Sequence, residues 1–194
     1  MASEAQLAGF PVCVVPMPDS ESASMLDTFQ RVIITGARTN MARDGFLTPV
    51  AAMLGRDLKG DGWCCYFASL GRYMENEQGK EILAKVLPNL AERFGAVAFA
   101  MITEAWTVRV SDEKSIADVY ARYGSLQHHP DRIEVVSVTI ETRMRASMIS
   151  LPIERDEDGN FTKLGDDIAR EYGEASEVRG RFANFLKPLP GGLN

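Results

Sequence analysis

The chain has 194 residues, 45% of them apolar and 25% charged, with a formal charge of −6. This fits one globular domain with extensions, long enough to bury a core without disulfide or metal staples. The acidic balance, with a pI near 5.0, argues against nucleic acid as a partner, because such binding calls for a basic face; Arg143 and Arg145 form the local basic pair.

Cys13, Cys64 and Cys65 make an odd set without a CxxC spacing. Adjacent strand residues point to opposite faces, so Cys64 and Cys65 are poorly placed to bridge each other. A reducing, cytoplasmic setting is expected. The N-terminal stretch lacks a basic leader region and its short apolar run is broken by prolines, unlike a signal peptide. No segment approaches the roughly 20 continuous apolar residues of a membrane helix.

Residues 1–19 read as an extended arm, since Pro11, Pro16 and Pro18 oppose helix while Phe10, Val12, Val14 and Val15 call for cover. The arm packs either on its own domain or on a neighbouring subunit. Ser20 to Arg43 is predicted to be helical, with Ser24 as N-cap and Asp44-Gly45 as the stop. Phe46 to Arg56 reads as a strand that Pro49 places at an edge or on a bulge. The turn at 57–62 leads into a return strand, Trp63 to Ser69. Glu75 to Phe94 carries an apolar stripe of Ile82, Leu83, Val86, Leu87, Leu90 and Phe94, capped by Asn76, with a kink expected at Pro88.

Phe94 to Arg109 is apolar on both faces over Ala96 to Ile102, which predicts a central strand, and turns polar from Glu104 onward. A short helix, Glu113 to Tyr123, is capped by Asp112. The loop at 124–132 precedes a strand over Ile133 to Arg143. A further strand spans Arg145 to Glu154, and an Asp158-Gly159 turn leads to a short one at Asn160 to Lys163. Asp166 to Tyr172 and Glu174 to Leu186 are predicted helices separated at Gly173.

The expected architecture is α+β: a two-layer, mostly antiparallel sheet of about five to six strands with the two main helices on one face. The expected organisation is the arm over 1–19, a single domain over 20–165, and a helical extension with a Pro/Gly-rich tail over 166–194.

The chemistry-bearing candidates are Glu104, His128, His129 and Asp131. Neighbouring strands would bring the 128–132 loop near the polar end of the strand holding Glu104. Imidazoles and carboxylates there would suit a metal or an acid/base pair. The competing reading is a solvated pre-strand turn bent by Pro130, with Glu104 in an ion pair to Arg132, Arg143 or Arg145. Trp106 reads as a packing residue or a ligand stacker. No GxGxxG, GxxxxGK[ST] or GxSxG occurs, and no cofactor is predicted.

Asp44-Gly45-x-Leu47-x-Pro49, Glu104-Ala105-Trp106 and His129-Pro130-Asp131-Arg132-x-Glu134-Val135 resemble a family of small uncharacterised proteins of bacterial and phage genomes, over roughly residues 25 to 165. The resemblance implies a phage or mobile-element origin and assigns no activity. The expected role is a non-enzymatic interaction or assembly protein, such as a phage virion or head–tail component, with a protein partner or a second copy of itself engaged through the tails. The alternatives are a small metal-dependent or acid/base enzyme and a small-ligand-binding domain.

Overall fold

The computed structural model describes residues 3–7, 10–17, 24–58, 62–109, 113–172, 182–183 and 185–186. The expected cap at Asp112, most of the helix expected over Glu174 to Leu186, and the tail KPLPGGLN lie outside them.

Local signals end the two long helices. Helix α1 spans Met25–Asp44, with the Ser24 hydroxyl accepting from the Asp27 N–H. Gly45, at φ 75°, closes it by donating to the Met41 carbonyl; this is the left-handed conformation glycine adopts without steric cost. Helix α2 is a single turn, Gly71–Met74. Helix α3 spans Glu77–Arg93, with the Asn76 side chain accepting from the Gly79 N–H at 2.8 Å. It carries Pro88 within its length. Helix α4 spans Glu113–Tyr123.

The strands are β1 (Ser3–Leu7), β2 (Phe10–Pro16), β3 (Val50–Arg56), β4 (Trp63–Ser69), β5 (Ala98–Thr107), β6 (Ile133–Thr142), β7 (Ala146–Arg155), β8 (Phe161–Leu164) and β9 (Ile168–Tyr172). Their order is β1-β2-β4-β3-β5-β6-β7, and every pairing is antiparallel. Along its outer edge β7 is shared: residues 153–155 pair with β8 and residues 146–150 with β9. The expected pairing of the glutamate-bearing strand with Ile133 to Arg143 is present as β5–β6, in register over the whole of β5.

The architecture is α+β and antiparallel, but differs from the sequence reading in four ways. The described sheet has nine strands rather than five or six, because β1, β2 and β9 arise from segments read as an arm and as a helical extension. Asp166 to Tyr172, expected to be helical, instead contains strand β9 against β7. Strand β3 is interior, between β4 and β5. Pro49 does not force it to an edge, because the strand begins at Val50 and the Pro49 carbonyl simply accepts from the Leu70 N–H.

The fourth difference is the placement of the helices, which lie on opposite faces. Ala51, Met53, Phe99 and Met101 join Leu83, Leu87 and Leu90 of α3 in one core cluster. Ala52, Leu54, Ala98, Ala100 and Ile102 join Phe29, Ile33, Ala37 and Met41 of α1 in the other. The reason is topological. Helix α1 connects β2 to β3, and α3 connects β4 to β5. Each connection links parallel strands separated by one intervening strand and steps the same way across the sheet, but the two strand pairs run in opposite directions. Crossovers favour one hand. Two crossovers of that hand on oppositely directed pairs place their helices on opposite faces.

Side contacts tie the outer segments to this frame. Arg38 of α1 donates to the Leu164 and Gly165 carbonyls beside β8. Phe185 and Leu186 are buried in the α3-side core, with the Phe185 ring edge-on to Phe99 at 4.7 Å. Among the described residues no helix is long and apolar enough to cross a membrane.

Gly55 marks the closest approach in the core. A Cβ there would lie 2.4 Å from the Phe94 carbonyl oxygen, and the Phe94 ring stacks on Tyr66 at 4.0 Å. Gly55→Ala is expected to destabilise the fold by about 1–3 kcal/mol in urea unfolding, the usual cost of overpacking a well-filled core. Gly62→Ala, whose added methyl meets nothing within 4 Å, is expected to stay within about 0.5 kcal/mol of the parent.

Candidate functional site at the polar end of β5

Strand alternation carries the α1-side face of β5 from Ala98, Ala100 and Ile102 on to Glu104 and Trp106. The register sets Glu104 opposite Val136, and Trp106 opposite Glu134. Directly opposed residues share a face, so β6 adds Glu134 to the same surface.

Glu104 accepts a 2.6 Å hydrogen bond from the Leu47 N–H through Oε1. It thereby fastens the loop between α1 and β3 to the central strand. Arg155, at the end of β7, grips Glu134 in two parallel bonds: Nε to Oε2 and Nη2 to Oε1, both 2.8 Å. Its Nη1 donates to the Gly45 carbonyl at 3.4 Å and the Gly159 carbonyl at 3.5 Å. The hydrogen bond to Glu134 raises the Arg155 pKa above its ordinary value, with the Glu134 and Glu104 charges adding to the effect. The Arg132 guanidinium lies 5.1 Å from the centre of the Trp106 ring, a cation–π distance, so the tryptophan face is covered by the chain's own cation.

The three sequence stretches around Asp44–Pro49, Glu104–Trp106 and His129–Val135 therefore meet at one place. The contacts are made by Gly45, Leu47, Glu104, Trp106, Arg132 and Glu134. Arg155 is the member that sequence reasoning missed. Nothing local distinguishes it from other surface arginines, and only the β6–β7 pairing brings it to Glu134.

His128, His129 and Asp131 sit together in the turn before β6, and their side chains contact that turn and the end of α4. His128 Nδ1 lies 3.2 Å from the Tyr123 carbonyl, and its Nε2 lies 3.3 Å from the Gln127 amide nitrogen. His129 Nδ1 accepts from the Asp131 N–H at 3.0 Å, and its ring packs edge-on against Tyr123 at 4.8 Å. Accepting at Nδ1 fixes the proton on Nε2 in the neutral ring. Glu104 is directed instead to Leu47, and among the described residues no group of three or more His, Cys, Asp or Glu is placed to hold a metal ion. Arg132 donates to the His129 carbonyl at 3.3 Å, which joins the turn to Trp106. The expected ion pair of Glu104 with an arginine is replaced by its bond to the backbone.

Two further groups define what the interior can do chemically. Burial pushes the Cys64 and Cys65 thiols up, Cys65 well above the ordinary thiol range. They are therefore poor nucleophiles and serve as small core residues. Glu141, 5% exposed, is the one buried carboxylate among the described residues. Its Oε1 accepts from the Leu186 N–H at 3.0 Å, so it anchors the C-terminal segment beside Phe185. The alternating pattern of β6 places Glu141 on one face but gives no hint of this partner.

Replacing Glu104 tests its role directly. Glu104→Ala leaves the Leu47 N–H without an acceptor and is expected to cost about 1–3 kcal/mol in thermal or urea unfolding. Glu104→Gln keeps an acceptor and should recover most of that loss. Glu141→Ala is expected to free the C-terminal segment, read as cleavage near Phe185 in limited proteolysis while the rest of the chain resists; Glu141→Gln should remain protected.

No protein-family model, curated protein or solved structure matches this chain.

Proposed function

We propose that this protein is a non-enzymatic interaction protein that assembles with a second copy of itself through the open edge of β1. The observation that supports the reading most is the position of the N-terminal hairpin. Strand β2 is paired on both sides, by β1 and β4, while among the described residues β1 ends the sheet.

The direction of the backbone groups follows from one bond. The Met17 N–H donates to the Trp63 carbonyl at 2.8 Å, so the odd-numbered residues of β2 face β4 and the even-numbered ones face β1. Val12 and Val14 then exchange hydrogen bonds with Ala5 and Ser3, their register partners. The N–H and C=O groups of Glu4 and Gln6 therefore point to the outer edge. An open edge of this kind is a template for another strand. Two copies related by a twofold axis would pair antiparallel, each β1 against the other.

Two features narrow the proposal. Phe185 and Leu186 are buried in this chain's own core, so the proposed contact is assigned to the N-terminal hairpin and not to these two residues. The groups that would serve an acid/base or metal-dependent reaction are engaged in holding turns and loops: Glu104 with Leu47, and His129 with Asp131. A phage virion or head–tail component is the setting that the sequence resemblance suggests for such an assembly.

Size-exclusion chromatography with light scattering tests the reading. The parent is expected to elute at twice the chain mass of 21.4 kDa. Gln6→Pro, which removes an outward-facing donor without touching the β1–β2 ladder, is expected to elute as a monomer with an unchanged circular dichroism spectrum. A parent that stays monomeric at high concentration overturns the proposal, as does a dimer indifferent to Gln6→Pro.

A further inference from the structure

The C-terminal segment differs from the rest of the α3-side core. Every strand and helix precedes it, and among the described residues it adds no strand of its own. Side chains dock it instead. The Phe185 ring stands edge-on to Phe99 at 4.7 Å, a favourable arrangement of two rings. The Leu186 N–H donates to Glu141 Oε1 at 3.0 Å. Phe182 packs against the same cluster, its ring 6.4 Å from that of Phe185.

Register shows how much chain joins this segment to the sheet. Phe99, Glu141, Ala146 and Tyr172 are successive partners in one row across β5, β6, β7 and β9. Strand β9 ends at Tyr172, and Glu141, which receives the chain again at Leu186, stands two strands away. Two strand spacings are about 10 Å, whereas the stretch from Tyr172 to Leu186 can extend to about 45–50 Å. The connection therefore has slack, and undocking the segment leaves the β7–β9 ladder whole. The receiving surface is also selective. Glu141 is 5% exposed, and a buried carboxylate calls for a donor. Here the donor is a main-chain N–H, which every residue except proline supplies. Phe99 receives an aromatic ring from the residue just before that donor. A fixed main-chain bond beside a side-chain anchor is how proteins recognise linear peptides.

We infer that Phe182, Phe185 and Leu186 form a releasable latch on a peptide-docking site over β5 and β6, and that the vacated site takes a partner's peptide of the same chemistry. That peptide carries two aromatic residues three positions apart, the second followed by an aliphatic residue with its N–H free. The chain's own segment, seated there, identifies the occupant. The tether sets the competition. A segment on a slack connection faces its site at an effective concentration of order millimolar, so the latch holds off weak competitors and yields to strong ones. The inference stands independently of assembly through β1.

Fluorescence anisotropy of a labelled peptide tests it, with the end-capped sequence RFANFLKP of residues 181–188 as the probe. Full-length protein carrying Phe185→Ala, whose own latch is weakened, is expected to bind the peptide saturably. The parent should bind it at least tenfold more weakly, because its latch competes. A peptide with Leu186→Pro lacks the donor to Glu141 and should bind the variant chain at least tenfold more weakly than the unaltered peptide. Adding Glu141→Ala to that chain should erase the difference between the two peptides. Should Phe185→Ala fail to fold, excess peptide added to the parent is expected to hasten proteolysis near Phe185. The inference is overturned if the folded variant binds no peptide, if it binds both peptides alike, or if proteolysis of the parent ignores the peptide. A dimer that Phe185→Ala abolishes would assign the site to the same segment of a second copy and overturn the partner reading.

Discussion

Strands β3 and β5 are apolar on both faces, and the rest of the structure follows from covering them. An antiparallel sheet can leave one face to water when its strands alternate apolar and polar residues. Ala51 to Leu54 and Ala98 to Ile102 do not alternate in that way, and all are buried. Each face therefore needs its own layer. The chain supplies α1 for one and α3 for the other, and the opposite directions of the strand pairs they connect keep the helices apart. The C-terminal Phe185 and Leu186 complete the α3 side.

Where β5 runs past α1, its face turns polar, and cover is replaced by hydrogen bonds. Glu104 holds the α1–β3 loop, Arg155 holds Glu134 and the end of α1, and Arg132 covers Trp106. The Arg155–Glu134 pair is partly screened, with side chains 28% and 20% exposed. Its two-point geometry contributes orientation as much as energy. The carboxylate read as a catalytic candidate thus holds the α1–β3 loop against the central strand. In this cluster Glu104 and the Arg155–Glu134 pair hold loops and strand ends in place.

Much of the fold is legible in the chain because its determinants are local. Ser24 and Asn76 start helices through side-chain acceptors, and Gly45 stops one through its positive φ. Asp158-Gly159 turns the chain into β8, with Gly159 at φ 83°. The pairing of β5 with β6 follows from two long apolar strands, and Glu104 lies where strand alternation puts it. The N-terminal hairpin is less legible, since Pro11 and Pro16 suggest an extended arm laid on a surface rather than two paired strands. Pro11 lies where the β4 ladder ends and Pro16 faces beyond the end of β1, so neither costs a sheet hydrogen bond.

The amino-acid sequence by itself determined helices α1, α3 and α4, the main strands and the doubly apolar centre of the sheet, because caps, turns and periodicity act within a few residues. Tertiary structure alone decided the faces the helices occupy, since that depends on the relative direction of strands joined by long connections. It also decided the partners of Glu104, Glu134 and Glu141. These are the Leu47 amide, Arg155 and the Leu186 amide, all at least 21 residues away in sequence, and a carboxylate carries no local mark of which distant donor will reach it.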